Sequence, residues 1–128
     1  MTIAVAYRPD EFGRAALDWA AAEARSRDES LLIINVHRLE PRLDPGHARG
    51  RHVQAITDSL AVDKVPFEVR QVEGEDISGT VLFEAEQASA TLIVIGVRQR
   101  SPVGKALMGS VAQQILLDSP VPVVAVKP

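Results

Sequence analysis

Short apolar runs alternate along this chain with segments of helical length, and that alternation limits the fold more than any other feature. Thr2–Tyr7, Leu31–Val36, Pro66–Val72, Leu92–Ile95 and Val121–Val126 read as strands. The segments between them carry apolar residues three and four apart, the period of a helix with one buried face. Glu11–Arg27 offers Phe12, Ala16, Trp19, Ala20 and Ala24 as a buried stripe, with Asp10 placed to cap its start. Arg51–Ala61 carries Val53, Ile56 and Leu60, and Ile77–Ala88 carries Ile77, Val81, Leu82 and Ala85 behind a capping Asp76. A last helix opens at Gly109-Ser110 and runs through Leu117, until Pro120 and Pro122 stop it. Arg38–Gly50, rich in proline and glycine, reads as a loop.

Strands separated by helices pair in parallel, because a helix-long crossover returns the chain to the same end of the sheet. The expected fold is therefore α/β: a single doubly wound, five-stranded parallel sheet with four helices. The third strand sets Phe67 and Val69 against Glu68 and Arg70, an alternation suited to an edge, and this fits the order 3-2-1-4-5. The fifth strand fits an edge badly. Val121, Val123, Val124, Ala125 and Val126 are too apolar for one left bare. Two explanations are open: a homodimer pairing Val121–Val126 with its copy, or cover by neighbouring helices.

Composition narrows the function classes. A length of 128 residues suits one domain, residues 1–128. Without cysteine there is no thiol nucleophile, no disulfide and no cysteine-type zinc site. A net charge of −3 and 4% aromatic residues argue against nucleic-acid partners. No apolar run is long enough for a membrane partner, and Met1–Ala6 lacks a signal peptide's basic segment, so the expected location is cytoplasmic.

The chemistry concentrates in Gly96–Val111. Ligands of such sheets bind beyond the strand C-termini where the winding reverses, which selects Arg8–Asp10 after strand one and Val97–Met108 after strand four. Gly96, Gly104 and Gly109 permit close backbone approach, and Arg98, Arg100 and Lys105 add positive charge with no acid between them. The helix starting at Ser110 and Val111 turns unpaired N–H groups outward, a generic anion site. The plainer alternative has Gly109 serving a turn, Ser110 capping the helix and the basic residues simply solvated. The segment is neither a P-loop nor a dinucleotide fingerprint, since the glycine spacing matches neither.

This loop resembles the signature of the universal stress protein family, G-x2-G-x9-G-[ST] after the fourth strand, with Gly96, Gly109 and Ser110 at the matching spacing. The closing Val111–Val126 and the first-helix run Ala15–Ala21 are similar too, so the likeness covers Ile3 to Lys127. It implies an adenine nucleotide alpha hydrolase-like fold in the order 3-2-1-4-5, dimers through the fifth strand, and a role in stress survival. Some members bind ATP or another adenine nucleotide, with phosphates on the glycine loop; others bind none. Carried onto this chain, the resemblance implies Gly96, Arg98, Gly104, Lys105, Gly109, Ser110 and Val111 around phosphate, and Val36 beside adenine. Two positions depart from the pattern. Gln99 stands at the second glycine, and Arg8 stands where nucleotide-binding members usually carry the aspartate that contacts adenosine. Asp10, two residues on, is the substitute, unless it is engaged as a helix cap. Val36 likewise has a plain alternative as a buried strand residue.

His37, His47 and His52 match no metal-ligand spacing, and nothing in the sequence pairs a histidine and an aspartate with Ser110. No catalytic constellation is present, so weak ATP hydrolysis is the most enzymatic reading. Against the nucleotide-binding stress protein stands a nucleotide-independent interaction module of the same fold, favoured by Gln99 and Arg8.

Overall fold

Each apolar run forms a strand, and their registers place all five side by side. In the computed structural model, which describes residues 1–37, 54, 56–58, 64–98 and 109–128, the elements are β1 (Thr2–Ala6), α1 (Glu11–Arg27), β2 (Ser30–His37), β3 (Phe67–Glu73), α2 (Ile77–Gln87), β4 (Leu92–Gly96), α3 (Ser110–Asp118) and β5 (Val123–Val126). A further helical stretch passes through residues 54 and 56–58. The sheet runs β3-β2-β1-β4-β5, and every pairing is parallel. Fold class and strand order are those the alternation predicts.

The strands sort their side chains between two cores. Ile3, Val5, Leu31, Ile33, Leu92 and Val94 project to one face, against α1 and Ile56. Ala4, Leu32, Ile34, Ile93 and Ile95 project to the other, against Val81 and Ala85 of α2 and Ala112 and Ile115 of α3. β1, β2 and β4 are apolar on both faces because both faces are covered. Completely burying one such isoleucine or leucine contributes about 1.5–3 kcal/mol.

The buried stripe of α1 is Gly13, Ala16, Leu17, Ala20, Ala21 and Ala24. Phe12 and Trp19, expected in the stripe, are only partly buried. The helix lies so close to the sheet that its contact face takes glycine and alanine, and the larger rings move to the border. Asp10 caps the start, its Oδ1 accepting from the Gly13 N–H at 2.8 Å. The end turns at Asp28 in the left-handed region (φ 56°), whose N–H closes onto Ala24 and Arg25 carbonyls. Asp76 caps α2 in the same way and also accepts from the buried Ser78 hydroxyl at 3.1 Å.

The two sheet edges differ. β3 is half-exposed, and its Arg70 bonds Glu68 beside it and Glu84 on α2. On β5, Val123, Val124 and Val126 are half-buried, Ala125 is exposed, and Leu117, just before the strand, is 72% exposed. Val124 and Val126 pack against the core under α1 and Val123 against the core on the other face, so helices cover β5 in part, and both explanations for its apolar character stay open.

Candidate functional site: the crevice between β1 and β4

β1 sends the chain into α1 on one face of the sheet, while β4 sends it towards α3 on the other. The two strands are neighbours, paired through Ile3–Leu92, Ala4–Ile93 and Val5–Val94. Their C-terminal ends therefore flank the crevice left where the winding reverses. Continuing that register sets Tyr7 level with Gly96 and Arg8 level with Val97.

The first turn of α1 is wedged into this junction. A Cβ on Gly13 would lie 1.8 Å from the Arg8 carbonyl oxygen, and one on Gly96 would lie 2.1 Å from the Phe12 carbonyl oxygen. Real Cβ atoms do not approach backbone so closely, so both positions require glycine for packing. Gly96, expected as a point of ligand approach, thus has its bare Cα taken up by α1. Tyr7 lies beneath, buried and donating its N–H to the Ile34 carbonyl at 2.9 Å. Burial raises the pKa of its phenol, with nearby Arg14 acting in the opposite direction.

Charged groups line the rim. Arg8 Nη2 lies 2.9 Å from Asp10 Oδ2, so both Asp10 oxygens are engaged, one by Arg8 and one by the helix cap. Asp10 is a cap, as one of its two readings had it. The Arg98 guanidinium lies 5.9 Å from the centre of the Phe12 ring, within range of a cation–π contact.

The start of α3 completes the described part. Gly109 is the N-cap, at an ordinary φ of −61°, and makes no side-chain capping bond. No atom of the described residues lies within 4 Å of where its Cβ would be. Ser110 follows as the first helical residue, exposed, so its hydroxyl is not the cap that the plainer reading assigned to it. Among the described residues, no side chain caps the first N–H groups of α3. Ser110 and Val111 also border a depression of about 350 Å³ shared with Glu75, Asp76, Ser78, Gln114 and Asp118, a wall with carboxylates and no cation.

Val36, the last but one residue of β2, is buried in the core beneath α2. Gly104 and Lys105 lie outside the described residues, with Gln99, Arg100 and the rest of 99–108, as do His47 and His52. His37 ends β2, with Nε2 3.8 Å from Glu73 Oε1. The structure adds Tyr7 and Phe12 to the site. In the sequence both read only as apolar residues of a strand and a helix, and no local signal marks them.

The sequence pattern of the universal stress protein family matches residues 1–127. A universal stress protein of Mycolicibacterium smegmatis is 45% identical over 98% of this chain and 97% of its own. The chain belongs to the universal stress protein family. Among solved structures, a universal stress protein in complex with cAMP has the same fold (TM-score 0.77, 21% identity, 99% of this chain and 96% of that one). So does one from Archaeoglobus fulgidus in complex with dAMP (TM-score 0.72, 20% identity, 98% and 96%). The fold is thus of the adenine nucleotide alpha hydrolase-like type.

Proposed function

We propose that this protein is a cytoplasmic stress-response protein, a single domain over residues 1–128, that binds an adenine nucleotide in the β1–β4 crevice. The observation that carries the reading is the start of α3. Among the described residues it has an N-cap without a capping side chain, no neighbour at the Gly109 Cβ position and an exposed Ser110, all beyond the strand where the winding reverses. In this reading Gly109, Ser110 and Val111 receive phosphate, with charge from Arg98 and Lys105 and backbone freedom from Gly104. Gly96 and Asp10 hold the floor and the rim, and Val36 lies under the adenine. The relatives that bind cAMP and dAMP support the ligand class. No described residue pairs a nucleophile with a general base at the crevice, so the reading is binding, with hydrolysis slow at most.

Titration calorimetry and thermal shift with ATP, ADP and AMP test the reading. Binding is expected for at least one, and its loss in the folded Gly109→Ala/Ser110→Ala double variant. No heat and no shift with any of the three would contradict it.

The same proposal includes a homodimer through Val121–Val126, supported by the apolar β5 standing last in the described sheet and by exposed Leu117. Light scattering should give twice the chain mass. The nucleotide-independent module remains as a second reading, because each Asp10 oxygen already has a partner, Arg8 on one and the Gly13 N–H on the other. Nucleic acid and membrane have no part in either reading. No described helix is long and apolar enough to cross a bilayer.

A further inference from the structure

We draw no further inference here: the strongest candidate, the cavity between the end of α1 and the start of β3 with its unpartnered Glu29 carboxylate oxygen, carries nothing, because that oxygen is sealed from solvent, Arg25 and Lys64 line the same space, and nothing in the structure shows what would fill it.

Discussion

Gly13 and Gly96 at the β1–β4 junction and Gly109 at the start of α3 are all glycines beside one crevice, yet they are glycine for different reasons. At the first two, a side chain would meet backbone oxygen at 1.8 and 2.1 Å. At Gly109 a side chain would meet none of the described residues, and the backbone angles suit any residue. Packing therefore accounts for the first pair, whereas at Gly109 the described fold offers only the modest N-cap preference for glycine. The comparison teaches that a glycine motif can mix structural positions with positions that face a ligand, and that only the surroundings separate them.

Substitutions can break or sharpen that contrast. The largest effects belong to Gly13→Ala and Gly96→Ala, which must push α1 away from the sheet. Each should cost about 3 kcal/mol in chemical denaturation, the upper range for overpacking a tight site. A loss under 1 kcal/mol at either would erase the distinction. Next comes Asp10→Ala, which removes the cap of α1 and the partner of Arg8, at about 1 kcal/mol. Gly109→Ala should cost less than about 1 kcal/mol, the difference between glycine and alanine at an N-cap. Its effect should instead appear as weaker nucleotide binding.

The smallest effect is confined to alkaline pH. Burial raises the Tyr7 pKa in the folded protein. Above the ordinary tyrosine pKa the unfolded chain therefore loses this proton first. Stability from this group is fully present below the unfolded pKa and falls as pH rises towards the folded one. Tyr7→Phe should flatten that alkaline decline in denaturant titrations, and an identical pH profile for both proteins would refute the assignment.

The sequence made the architecture legible because strand and helix periods differ and a parallel sheet allows few connections. The alternation at Phe67–Arg70 even marked one edge, and the ion pairs of Arg70 with Glu68 and Glu84 show how that edge is satisfied. The stripe on α1 was less legible. Phe12 and Trp19 have the right spacing, but so do Gly13, Leu17 and Ala21. Only the close approach to the sheet selects the smaller set. In the site, the spacing of Gly96, Gly109 and Ser110 pointed to the loop between β4 and α3, whose two ends flank the proposed crevice. The contact between Gly96 and Phe12 joins residues far apart in the chain, and no local pattern encodes it. The engagement of Asp10 with Arg8 was equally hidden, since a cap and a ligand contact call for the same residue type.

The central claim places an adenine nucleotide over the ends of β1 and β4, and amide shift mapping by NMR tests it most directly. Titration with AMP should move the N–H signals of Arg8, Phe12, Gly96, Val97 and Arg98 together with those of Gly109, Ser110 and Val111. Those of Arg25, Asp28, Glu29 and Lys64, which line a separate cavity, should stay in place. Shifts confined to that second cavity, or none at saturating AMP, would contradict the account.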